Sequence, residues 1–261
     1  MVATHEDLIV TPSVSDDHPS TEGRWRPLSR IAGFAALIAA IATPITIAVF
    51  ALWPPPYEEG VERWFELLSD NPLLGLMSLD LAFLIVNVLM IPVMLTLYVV
   101  LRRHDVSLTT LAIVTFFVGL AAYLTTNPAI EMWSLSQSYG EATTEVERVT
   151  LLGAGEALMS GFEGTAFHVN YVLAQAAGIL LGVVMLRAGA FTRSIAWLMI
   201  VGNAVGFGLY IPVVGLGLSA FAGVILWIWM ILLARAFFRI DEDGYLFGTR
   251  GVADTRKGVS P

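Results

Sequence analysis

The sequence predicts an all-α protein, a polytopic bundle of six membrane-spanning helices with an amphipathic helix in an outer loop. Three observations carry that expectation. Of 261 residues, 56% are hydrophobic and 14% charged, and the mean hydropathy of +0.74 lies outside the range of ordinary soluble domains. The apolar residues also fall into runs near the ~20 residues that a helix needs to cross a ~30 Å hydrocarbon core. Finally, the basic residues fall on alternate loops, which sets an orientation.

Residues 1–30 carry Glu6, Asp7, Asp16, Asp17 and Glu22 with Pro12, Pro19 and Pro27, and no basic start followed by an apolar centre. They read as a disordered cytoplasmic tail, with the first span as an uncleaved anchor. That span covers 31–53, with Pro44 as a candidate kink and Trp53 at its boundary, where an amphipathic ring prefers to lie. The second covers 73–101 and stops at Arg102 and Arg103. The third, 108–126, follows Asp105 and Ser107, either of which suits a helix cap, and stops at Asn127-Pro128.

A polar stretch from Glu131 to Gly164 comes next. Val146, Val149, Leu151, Leu152, Ala157 and Leu158 recur in it at helical spacing, which predicts an amphipathic helix at the membrane surface. The fourth span is 165–186, closed by Arg187, with Gly189 as the helix stop. The segment 194–238 has no charge before Arg235 and is too long for one crossing. It divides into spans at 194–212 and 216–238, joined by a turn around Pro212 to Gly217, and the residues from 240 to 261 form a second cytoplasmic tail.

With six spans and an internal N-terminus, the inner segments hold twelve basic residues and the outer ones only Arg63 and Arg148. This follows the positive-inside rule, and an odd number of spans spoils it. The expected location is the cell membrane with both termini cytoplasmic. The outer loops are acidic, with Glu58, Glu59, Glu62, Glu66 and Asp70 in the first and six Glu in the second.

The partners implied are membrane lipids and a small-molecule or proton ligand, with no protein partner identified. A formal charge of −8 argues against nucleic acid, because phosphate binding needs clustered Lys and Arg. There is no cysteine, hence no disulfide or thiolate chemistry.

Polar residues inside the spans form the candidate site. Asp80 and Asn87 are seven apart in the second span, and so share a helix face. His168, Tyr171 and Gln175 line one stripe of the fourth, and Asn203 and Tyr210 repeat the spacing in the fifth. Glu163 stands just before the fourth span. Together these predict one interior cluster open to the outer half of the membrane. An intramembrane aspartate or histidine is a functional candidate by default, whereas Asn87, Gln175 and Asn203 read more simply as interhelical packing groups. Ala174, Gly178 and Gly182, with Gly202 and Gly206, are spaced for close helix approach.

No nucleophile elbow, phosphate loop or paired-histidine motif is present, and one core histidine is a poor basis for a zinc site. No catalytic residue, metal ligand or cofactor is assigned, and the residues favour a non-enzyme.

A set of local stretches is distinctive: Asn127-Pro128 with Leu135-Ser136, Gly155-Glu156-Ala157, and Glu163 to His168 running into Asn170-Tyr171-Val172-Leu173. Val184 to Arg187, Phe191, and Tyr210-Ile211-Pro212 with Gly215 complete the set. In these stretches the chain resembles the uncharacterised domain of unknown function 4386 family of bacterial six-helix integral membrane proteins. The resemblance spans about 33–238 and implies a six-helix membrane fold without an assigned activity. Its distinctive region is the outer loop and the start of the fourth span.

The functional expectation is a membrane protein binding or conducting a small ligand or proton at the interior cluster. Two alternatives stay open: an intramembrane or lipid-active hydrolase using His168, and a non-enzymatic envelope protein docking a partner through its acidic outer loop.

Overall fold

The computed structural model describes residues 25–243, and all elements among them are helical. The helices are α1 (Arg26–Leu52), α2 (Val61–Asp70), α3 (Pro72–Ser78), α4 (Leu81–Leu101), α5 (Val106–Thr126), α6 (Ala129–Glu141), α7 (Glu145–Glu163), α8 (Thr165–Ala188), α9 (Arg193–Gly206) and α10 (Gly215–Asp243), with a 3-10 turn Phe207–Tyr210 after α9. Residues 1–24 and 244–261 of the two expected tails lie outside the described residues. Five helical stretches are long and apolar enough to cross a membrane: Pro27–Leu52, Leu81–Leu101, Val106–Glu141, Glu145–Ala188 and Gly215–Ile240.

Six helices close into a ring in which α1 packs on α4, α4 on α5, α5 on α8, α8 on α9, α9 on α10 and α10 on α1. The ring is built on small residues. On α1, Ala32, Ala35, Ala36, Ala39 and Ala40 are buried, while Ile31, Phe34, Ile38, Ile41 and Ile45 are exposed. Large aliphatic side chains outside and alanine inside invert the arrangement of a protein in water, where an exposed apolar surface this extensive marks a contact with something apolar.

Pro44 sits inside α1 and supplies no N–H, which leaves the carbonyl of Ala40 without its helical partner. Trp227 of α10 donates its indole N–H to that oxygen at 2.7 Å. A residue expected to act as a kink thus creates an interhelical hydrogen bond. At the other loops, Asp105 caps α5 by accepting from the Leu108 amide at 3.0 Å, and Gly189 ends α8 in the left-handed conformation at φ 61°.

A second layer, made of α2, α3, α6 and α7, covers the end of the ring formed by the C-termini of α1 and α5 and the N-termini of α4 and α8. It has its own core of Val61, Trp64, Phe65, Leu68, Met132, Met159 and Phe162. Gly155 is required here because a Cβ would run into Val61 and Phe65, so α7 lies directly on α2. The expected single amphipathic helix is two helices, α6 and α7. The second starts at a capping box in which Thr144 accepts from the Glu147 amide and Glu147 accepts from the Thr144 amide. Its buried residues are Gly155, Met159 and Phe162, and Leu151, Leu152 and Leu158 of the expected apolar face pack partly buried against the same core, whereas Val146 and Val149 near its start are exposed.

Two expected spans differ from the structure. The stretch 73–101 is interrupted between α3 and α4 at Leu79 and Asp80, where Asp80 adopts φ 62°. The stretch 194–212 is helical only to Gly206, then tightens into the 3-10 turn and is not among the five long apolar helices. The turn into α10 follows at residues 211–214, with Val213 at φ 72°.

Candidate functional site

Asn127-Pro128 governs the geometry around Asp80. Proline disfavours the helical region for the residue before it, and Asn127 accordingly ends α5 in an extended conformation. From there its amide donates to the Leu79 carbonyl at 2.9 Å, and its Oδ1 accepts from the Ala129 amide at 3.2 Å. The first bond holds the break between α3 and α4 open by occupying a carbonyl that a continuous helix would use. Leu79 itself is fully buried, which fixes the backbone on the other side. Aspartate is one of the few side chains that tolerates the left-handed region, and a non-glycine held there by its surroundings is typical of functional positions.

The break aims the Asp80 carboxylate into a cavity of about 270 Å³ lined by Tyr57, Asp80, Phe162, Glu163, Phe167 and His168. Tyr123 of α5 donates its phenol to Asp80 Oδ2 at 3.4 Å. Glu163 is the last residue of α7, and the next residue, Gly164, makes the tight passage into α8. A Cβ on Gly164 would collide with the Ser160 carbonyl. That passage sets Phe167 and His168, on the first turn of α8, against the cavity. Tyr57 comes from the loop between α1 and α2, with its ring edge on Trp64 at 5.5 Å. Its phenol is pushed above its ordinary value, first by burial and then by the carboxylates of Asp80 and Glu163. The cavity thus combines two carboxylates with three aromatic walls, and Tyr57 contributes a neutral phenol to it.

Two further sets of polar contacts lie beside the cavity, one at His168 and one at Tyr171 of α8. His168 Nδ1 lies 3.1 Å from the Tyr210 hydroxyl, with the donor set by the imidazole tautomer. Tyr210 packs edge-on against Tyr171, with ring centres 6.1 Å apart. The Tyr171 hydroxyl donates to the Gly206 carbonyl at 2.8 Å and contacts Ser219 Oγ at 3.0 Å. Since Tyr171 has one proton, Ser219 is then the donor in the second contact. Gly206 ends α9, which leaves its carbonyl available to a side chain.

The residues expected to form one cluster therefore separate into three groups. Asp80, Glu163 and His168 line the cavity. Tyr210 bonds to His168, and Tyr171 packs against Tyr210 while its hydroxyl reaches Gly206 and Ser219. Gln175 and Asn203 lie in the buried seam between α8 and α9, where each amide fills the space left by a glycine opposite: Gln175 against Gly206, and Asn203 against Gly178. Asn203 also bonds back to the Met199 carbonyl of its own helix at 2.6 Å. Asn87 bonds back to Phe83 at 2.9 Å and does not line the cavity. The seven-residue relation of Asp80 to Asn87 assumed a continuous helix, and the break at Asp80 removes it.

Tyr57, Tyr123, Phe162 and Phe167 belong to the site without having been singled out in the sequence. Phe162 immediately precedes the Glu163 to His168 stretch and Phe167 lies within it, and Tyr123 is a lone phenol near the Asn127-Pro128 stop, so their positions held a signal. Tyr57, in a proline-rich loop, held none. Among the described residues, no three His, Asp or Glu side chains converge as metal ligands. No family model, no curated protein and no solved structure matches the chain.

Proposed function

We propose that the chain is a six-span cell-membrane protein, with both termini cytoplasmic, that binds or conducts a small cation or a proton at the cavity containing Asp80. The observation that carries the reading is the Asp80 carboxylate, held in left-handed backbone at a helix break and turned into an aromatic-walled cavity. Aromatic faces and carboxylates both attract cations. Helix breaks in membrane bundles are tolerated where they line such a cavity. For a proton, the contact of His168 with the Tyr210 hydroxyl offers one further step beyond the cavity.

Membrane insertion is supported by the five long apolar helices and by the exposed isoleucines of the ring. The span that completes the six, fifth in chain order, is α9 with its 3-10 turn, whose fourteen and four residues rise together about 29 Å, close to a hydrocarbon thickness. Orientation is supported by Arg30, Arg102, Arg103, Arg187, Arg193, Arg235 and Arg239, which lie at helix ends away from the second layer. The family resemblance belongs to this reading too, since Glu163, Phe167 and His168 line the cavity and Asn127 holds the Leu79 carbonyl next to Asp80. A hydrolase is less well supported, because His168 is bonded to Tyr210 and not to a carboxylate or a serine.

The test uses the full chain in lipid nanodiscs, titrated with small primary amines and quaternary ammonium ions, and proteoliposomes carrying a pH-sensitive dye. Asp80→Asn should weaken cation binding or proton flux by about tenfold or more, with thermal unfolding little changed. If Asp80→Asn and His168→Ala both leave binding and flux at the parent level, the proposal is lost.

A further inference from the structure

The end of the ring remote from Asp80 has a site of opposite charge. A cavity of about 270 Å³ opens between the start of α9 and the last turns of α10, lined by Phe191, Thr192, Ile195 and Leu232 with Arg235 and Arg239. The two arginines are four residues apart on α10, so they share one face. Both are exposed, and among the described residues neither is paired with a carboxylate. Two other arginines at this end are engaged. Arg102 lies over the rings of Trp25 and Tyr98, and Arg187 is 4.0 Å from Asp105.

The rest of the lining fits an anion attached to something apolar. Phe191 is buried and packs edge-on against Phe237, which gives the cavity a rigid apolar wall. Thr192 precedes α9 without capping it by its side chain, so the first backbone amides of α9 face this region with the partial positive charge of a helix start. Along the outer faces of the same two helices, Trp197 and Val201 on α9 and Val224 and Ile228 on α10 are exposed.

We propose that Arg235 and Arg239 hold a phosphate group in this cavity. Guanidinium groups suit phosphate because their planar forks match its oxygens two at a time. The phosphate is either free or the headgroup of an anionic lipid whose chains lie on the exposed apolar faces. This site is independent of the cavity at Asp80, and neither proposal depends on the other.

The experiment takes the purified full chain in detergent and follows binding of inorganic phosphate and of short-chain phosphatidylglycerol by native mass spectrometry and thermal shift. Short-chain phosphatidylcholine serves as the zwitterionic comparison. Arg235→Gln with Arg239→Gln should weaken binding about tenfold or more, while Arg63→Gln in α2 should leave it unchanged. Binding of phosphatidylglycerol without competition by phosphate assigns the lipid headgroup, and binding of phosphate itself assigns the free anion. The proposal is overturned if neither probe binds more tightly than phosphatidylcholine, or if the double variant binds as the parent does. Where the double variant fails to fold, Arg239→Gln alone supplies the same two outcomes.

Discussion

The ring and the layer that covers it bury opposite kinds of residue. In the ring, α1 turns alanines inward and isoleucines outward. In the layer, Trp64 and Phe65 are inside, 2% and 1% exposed, and the glutamates are outside. The layer is organised as a small domain in water is, by removing large apolar surface from solvent. The ring is organised by close approach of backbones, as expected where lipid already satisfies the apolar side chains. One chain thus combines two kinds of packing, and the cavity at Asp80 lies where they meet.

The layer should be the more sensitive of the two to truncation of a large side chain. Trp64→Ala should cost about 3–5 kcal/mol, the usual range for emptying a buried aromatic site. Limited proteolysis should then cut α2 and α6 first. Ile41→Ala on the exposed face of α1 should stay within about 0.5 kcal/mol in detergent unfolding. Equal losses at the two positions would contradict the contrast.

The seam of the ring should resist enlargement. Gly206→Val places new carbons on the Gln175 amide and should cost about 1–3 kcal/mol as an overpacked contact. Adding Gln175→Ala should recover part of the loss by emptying the space. If the second change only adds to the damage, then close approach is not what the glycine provides.

The smallest effect concerns the carbonyl left free by Pro44. Trp227→Phe removes its hydrogen bond to Ala40 and should cost about 1 kcal/mol. Pro44→Ala restores an N–H to the helix, so the same tryptophan change should cost less in that background. A double-mutant cycle in thermal unfolding measures the difference, and additivity would rule out this account of the proline.

The apolar runs were legible because crossing length and composition are local quantities. Asp105 as a cap and Gly189 as a stop were legible for the same reason, since each acts within one turn of helix. The interruption at Asp80 was not. It depends on the Asn127 amide reaching Leu79 from another helix, and helical spacing alone reads straight through it. The error then carried over to Asn87, which was placed on a face that the break removes. Gln175 and Asn203 were correctly seen as interior, yet only the seam between α8 and α9 shows that each fills a glycine's space.

Residue type and distance along the chain were enough to specify the helical character, the apolar segments and the clustering of arginine between them. The tertiary structure decided which polar groups meet. It brought Tyr57, Asp80, Glu163 and His168 from separate elements to one cavity, and sent Asn87, Gln175 and Asn203 elsewhere. The physical reason is that a polar side chain takes whatever partner the folded backbone puts within hydrogen-bond reach, and that reach spans a few ångströms of space irrespective of distance along the chain.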